Sequence, residues 1–144
     1  MIKKIIEQSF PKLKKGGYSV TSPAAIEYNC IAWAAGSTDR WWWPDAQNLY
    51  FWPSGATRTE TIEAFIRTFE TLGFTLCQDG EYETGFEKIA IYVDSKGKPT
   101  HAARQVTSGL WTSKLGEFVD IEHPIDGLDS SEYGLIAIIM KRPQ

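Results

Sequence analysis

The sequence predicts an α+β protein in which N-terminal helices pack on an antiparallel β-sheet. Three observations predict it. Apolar residues recur at helical spacing in the first half, at Ile62, Phe65, Ile66, Phe69 and Leu72. From Glu87 onward, strand-like runs are separated by turn-rich links, Asp94-Ser95-Lys96-Gly97-Lys98 and Thr107-Ser108-Gly109, short enough for hairpins. Helices first and a meander second is the segregated arrangement, not the alternation that builds a parallel sheet.

The elements follow in order. Residues 1–22 read as a lead-in: a short amphipathic piece to about Phe10, then Pro11 and Gly16-Gly17, with two lysine pairs at Lys3-Lys4 and Lys14-Lys15. Ser22-Pro23 has the form of an N-cap followed by proline, and one helical turn is expected there. Asn29 is a second N-cap candidate; it would place Cys30 in the first turn of a short helix that stops at Gly36. Thr38 to Gly55 holds four of the six tryptophans and two prolines and reads as an ordered, aromatic-rich loop. The periodic helix follows, with Glu60 and Glu63 in its first turn and Gly73 at its end. Phe74 to Cys77, Lys88 to Val93, Thr100 to Val106, Leu110 to Leu115 and Tyr133 to Met140 are the expected strands.

A length of 144 residues suits one domain, 1–144, able to bury about two-thirds of its unfolded surface. Apolar content of 42% and charged content of 23% belong to an ordinary globule. A net charge of −3 gives no electrostatic case for nucleic acid or an anionic membrane. The basic N-terminus is interrupted at Glu7 before a signal-peptide core can form, and no run reaches the roughly 20 apolar residues of a membrane span. A cytoplasmic setting is expected, with export by a signal-less route the alternative. Two cysteines, Cys30 and Cys77, are too few for a disulfide framework.

Chemistry concentrates at Cys30 and His101. A thiol becomes a strong nucleophile as thiolate, and a helix N-terminus or a neighbouring imidazole favours that form. His101 opens a strand on which His101, Ala103 and Gln105 share a face, with Ala103 leaving room for a helix to approach. A Cys–His pair needs a third polar group to hold the ring. Ser113, Glu117, Asp120 and His123 are the candidates, and Asp120 is preferred because a carboxylate also stabilises the charged ring. Cys77 lacks a helix start and reads as structural. The two histidines and two cysteines lack the close pairing of a zinc site, and no Gly-rich phosphate loop occurs, so neither metal nor cofactor is expected. Trp33, Trp42 and Trp43 are the candidate substrate-binding residues, weighed against packing of the aromatic loop as a core plug.

Asn-Cys-Ile-Ala-Trp-Ala (29–34), followed by a strand opening on His101, resembles the papain-like thiol hydrolases, which include papain and the NlpC/P60 cell-wall peptidases. His-Ala-Ala-Arg-Gln (101–105), Gly-Leu-Trp-Thr-Ser-Lys-Leu-Gly (109–116) and Asp-Ile-Glu-His (120–123) also resemble an uncharacterised bacterial domain family, from about residue 25 onward. The first resemblance implies a papain-like architecture, Cys30 as nucleophile, His101 as general base and acid, and Asp120 or His123 as orienting group. The pattern departs from papain in Cys-Ile-Ala-Trp for Cys-Trp and in Pro23-Ala24-Ala25 where a glutamine donor is usual. The expectation is a cysteine peptidase or amidase that cleaves a peptide, protein or peptidoglycan-like amide through a thioester. Glutamine deamidation or acyl transfer on the same fold is one alternative, and a non-catalytic binding module built on the Trp-rich loop is another.

Overall fold

The computed structural model describes residues 2–144. Two short helices, α1 (Ile2–Ser9) and α2 (Pro11–Gly16), lead into strand β1 (Ser19–Ser22); helices α3 (Cys30–Ala34) and α4 (Ile62–Thr71) follow. The chain then runs through β2 (Thr75–Cys77), β3 (Phe86–Val93), β4 (Pro99–Gln105), β5 (Trp111–Lys114), β6 (Asp120–His123) and β7 (Leu135–Pro143). These strands form one open sheet in the order β1-β6-β5-β4-β3-β7-β2, every neighbouring pair antiparallel.

Helices cover both faces of that sheet, and strand alternation divides the core between them. On one face, Ile89, Ile91, Ala102 and Met140 meet α3, α4 and the aromatic loop through Ile31, Phe65, Phe69 and Trp52. On the other, Ala90, Tyr92, Ala103, Trp111 and Ile121 meet Ile6, Phe10 and Leu13 of α1 and α2. Buried on both sides, β3 reads as a nearly unbroken apolar run for that reason.

Four expectations need adjusting. The 1–22 segment is no mere lead-in, because α1 and α2 supply one wall of the second core and β1 pairs with β6 at the sheet edge. No helical turn forms at Ser22-Pro23; Ser22 ends β1 and is paired with Asp120. Glu60 lies ahead of α4, since Thr61 is the N-cap and its side chain accepts from the Ala64 amide. The helix that approaches β4 does so over Ala102 rather than Ala103, which faces α1 and α2.

Two features position the site. The β4–β5 ladder is brief: Arg104 pairs with Thr112 and Gln105 with Trp111, and the earlier residues of β4 have no strand partner on that side. The second is Asn29. Its Oδ1 accepts from the amides of Ala32 (3.2 Å) and Trp42 (3.1 Å), while its Nδ2 donates to the Trp42 carbonyl (2.9 Å). One buried side chain therefore caps α3 and ties the tryptophan loop to the helix start. Replacing it orphans two buried amides and a carbonyl. Asn29→Ala is expected to lower unfolding stability by about 2–4 kcal/mol in urea titration, against a change near zero for Cys77→Ser at a partly exposed position. A loss for Asn29→Ala no larger than that of Cys77→Ser would contradict the clamp.

Candidate functional site

Cys30 is the first residue of α3, and its sulfur sits where β4 lacks a partner. Val106 donates its amide to Leu110 across the β4–β5 hairpin at 2.8 Å. Backbone alternation points the amides of Arg104 and Ala102 the same way. At Ala102 no strand is there to receive that N–H, and the amide is directed at the Cys30 sulfur instead. The amides of Cys30 and Ile31, at the open start of α3, are aimed at it as well. All three favour thiolate, as does the ammonium of Lys114, yet burial outweighs them and pushes the thiol up to about 11. Cys30 is a thiol at neutral pH. It is not sealed, being 7% exposed at the wall of a cavity.

The amide turned toward the sulfur belongs to the peptide joining His101 to Ala102, so the candidate nucleophile lies against the backbone of the candidate base. The ring projects to the α1/α2 side of β4 and is fully buried. Its Nε2 lies 3.0 Å from Ser113 Oγ, and Ser113 Oγ lies 2.8 Å from His123 Nε2. His123 Nδ1 lies 2.7 Å from the Pro124 carbonyl. Protons along this chain are dictated by its end. A carbonyl only accepts, so His123 carries its proton on Nδ1 and presents a bare Nε2. Ser113 must then donate to His123 and accept from His101, which places the His101 proton on Nε2. His101 Nδ1 is left as a bare lone pair, and it is a buried atom with no hydrogen-bond partner.

Burial keeps both rings neutral. It holds His101 well below the usual imidazole range, helped by the neighbouring His123, and lowers His123 to about 4. The ring of Tyr133 stacks on His101 with centroids 4.0 Å apart and planes at 8°. It covers one face of the imidazole, whose Nδ1 is buried without a partner. Gly134 makes this possible: at φ +79° it passes so close to the Val93 carbonyl that a Cβ would collide with it.

Asp120 does not hold His101. Strand alternation puts it on the α3 side of β6, where Oδ2 accepts from Tyr28 Oη at 2.8 Å. The partner of the ring is Ser113, backed by His123, both on the opposite side of their strands. Among the described residues, no hydrogen bond joins Glu117 to this group, nor the Cys30 sulfur to the His101 ring. Lys114 donates to the carbonyls of Ala25 (2.7 Å), Gly116 (2.5 Å) and Phe118 (2.7 Å). Its three N–H groups are all committed, so it acts as a fixed cation rather than a proton carrier.

The cavity beside Cys30 has a volume of about 300 Å³, and Trp41, Trp43, Tyr50, Thr100 and Tyr133 contribute to its wall. Of the three tryptophans expected at a substrate site, only Trp43 is there. Trp33 turns to the sheet, where Nε1 donates to Thr112 Oγ1 (3.1 Å) under the Arg104 guanidinium. Trp42 points into the core against Phe51, because the extended 41–43 segment sends alternate side chains opposite ways. That same alternation puts Trp41 in the wall. Tyr50 and Tyr133 come from distant stretches, and no spacing in the sequence ties them to Cys30.

Among the described residues, no group of three or more His, Cys, Asp or Glu side chains is placed to hold a metal ion, and no helix is long and apolar enough to cross a membrane. Residues 19–141 match the family described as Domain of unknown function (DUF7689). No curated protein and no solved structure matches the chain.

The proton assignment has a direct test. Long-range ¹H–¹⁵N spectra at pH 7 are expected to show His101 protonated at Nε2 with a bare Nδ1, and His123 protonated at Nδ1. Because both folded pKa values lie below the ordinary 6.5, the unfolded chain takes up protons first as pH falls. The corresponding stability is complete above pH 6.5 and is lost on acidification toward pH 4; His123 accounts for about 3 kcal/mol of it. An Nδ1-protonated His101, or a ring titrating near 6.5, would contradict the chain of donors.

Proposed function

The chain belongs to the DUF7689 family, and we propose that it is a thiol hydrolase of papain-like architecture, acting on an amide through a thioester. The observation that supports this reading is the bare Nδ1 of His101, fixed by Ser113 and His123 from behind, on the residue that precedes the amide turned toward the Cys30 sulfur. A buried base with no partner is costly unless it has a use. The free thiols at Cys30 and Cys77 suit the reducing cytoplasm.

A thiol near 11 and a neutral imidazole imply proton transfer during attack rather than a standing thiolate–imidazolium pair. Sulfur bonds to the carbonyl carbon as its proton moves to His101 Nδ1, and the carbonyl electrons move to oxygen. The amides at the start of α3 are the available donors for that charge. Collapse expels the amine, which takes the proton from His101, and leaves a thioester on Cys30. Water then gives a proton to Nδ1, attacks the thioester, and releases the acid as sulfur recovers the proton. Ser113 is the positioning residue in both halves, in the role first assigned to Asp120. Acyl transfer or deamidation uses the same steps with another acceptor or leaving group.

The experiment is to follow acylation of the protein by an activated ester with intact-mass spectrometry. An adduct is expected on Cys30 and absent in Cys30→Ser. His101→Ala should slow it about 10²–10⁴-fold. Ser113→Ala should lower the acylation rate constant more than the ester's half-saturation concentration and shift the acid limb, which lies below pH 6.5 in the parent protein. Adduct on Cys77 alone, or formation on Cys30 unchanged by His101→Ala, would overturn the reading.

A further inference from the structure

Building on that reading, we infer that the acyl group delivered to Cys30 is uncharged and apolar, a single ring or branched chain that fills the aromatic cavity. The wall of about 300 Å³ beside the sulfur carries no formal charge. Charged residues of the same loop are engaged elsewhere: Arg40 lies over the Phe51 ring at 3.8 Å, and Arg58 pairs with Asp45 at 2.8 Å. Lys114 is saturated by three carbonyls. A carboxylate or ammonium placed in this cavity would lose its water and find no charged side chain in the wall to pair with.

Part of the polar equipment in the wall is engaged within the protein. Trp41 Nε1 donates to the Ile26 carbonyl at 2.6 Å, Thr100 Oγ1 donates to the Tyr133 carbonyl, and the Asn29 amide is tied to α3 and Trp42. What the cavity does offer is aromatic surface from Trp41, Trp43, Tyr50 and Tyr133, with Trp41 and Tyr50 braced on each other at 5.8 Å. Its size lies at the low end of ligand pockets, roughly 300–1,000 Å³, which fits one ring-sized group rather than an extended chain. Acid-rich peptides, such as those carrying free carboxylates next to the cleaved amide, are therefore disfavoured.

Binding can be read apart from chemistry by using Cys30→Ser. Amide chemical shifts would be titrated with the amides of N-acetyl-phenylalanine, N-acetyl-leucine, N-acetyl-glutamate and N-acetyl-lysine. The phenylalanine and leucine probes are expected to bind about tenfold or more tightly than the charged pair, with shifts at Trp41, Trp43 and Tyr50. Tyr50→Ala, at a position 42% exposed, should erase most of that preference, and Tyr50→Arg should raise affinity for the glutamate probe. Equal binding of all four probes, or no binding of any, would overturn the inference. Activated esters of the same four acyl groups, given to the protein with Cys30 intact, separate it from the thiol-hydrolase reading. Apolar preference without Cys30 acylation upholds the selectivity and refutes the chemistry. Acylation of Cys30 at equal rates by all four esters refutes the selectivity and upholds the chemistry.

Discussion

A missing stretch of β-ladder is the constraint on which the site depends. Had β5 followed β4 along its whole length, the Ala102 amide would be satisfied by a strand carbonyl, and no sulfur could enter. The pairing lasts for Arg104 and Gln105 and then stops. A short helix begins at the vacated position and puts Cys30 where a backbone acceptor belongs. A buried amide needs a partner, and the Ala102 amide is turned toward the Cys30 thiol. The interruption thus joins α3 to the sheet and sets Cys30 against the backbone of β4, while the His101 ring projects to the α1/α2 side.

The second determinant is a line of buried polar groups with one consistent set of protons. Pro124 can only accept, and this fact propagates through His123 and Ser113 to the free lone pair of His101. Low polarity around the rings keeps them neutral and sharpens each hydrogen bond. The same environment raises the Cys30 thiol. Burial thus keeps both groups uncharged, and under the proposed reading charge would separate only as a carbonyl is attacked. Tyr133 stacked on His101, and the glycine that lets it approach, keep the ring from turning away.

Local chemistry explains what the sequence disclosed. The Asn29 cap, Cys30 at the first turn, α4 and the hairpin strands all rest on spacing within a dozen residues, and each forms with bounds within about three residues of those expected. Asp120 was preferred over Ser113 for its charge, but which side of a strand a residue takes depends on register, and Asp120 falls on the α3 side with Tyr28. Ala102 and Ala103 are indistinguishable by composition and face opposite cores. The edge pair β1 and β6 is four residues a strand, too short for alternation to stand out. Tyr50 and Tyr133 reach the cavity through contacts far apart in the chain. Period-2 alternation within 41–43 could have separated Trp42 from its neighbours, had an anchor such as Asn29 been known.

The most direct measurement is the structure of the protein with an apolar peptide aldehyde bound covalently. The account predicts a hemithioacetal on the Cys30 sulfur, with His101 Nδ1 at hydrogen-bond distance from the sulfur or the new hydroxyl and Nε2 still held by Ser113. An aldehyde bonded elsewhere, or a Cys30 adduct with His101 Nδ1 facing only protein, would contradict it.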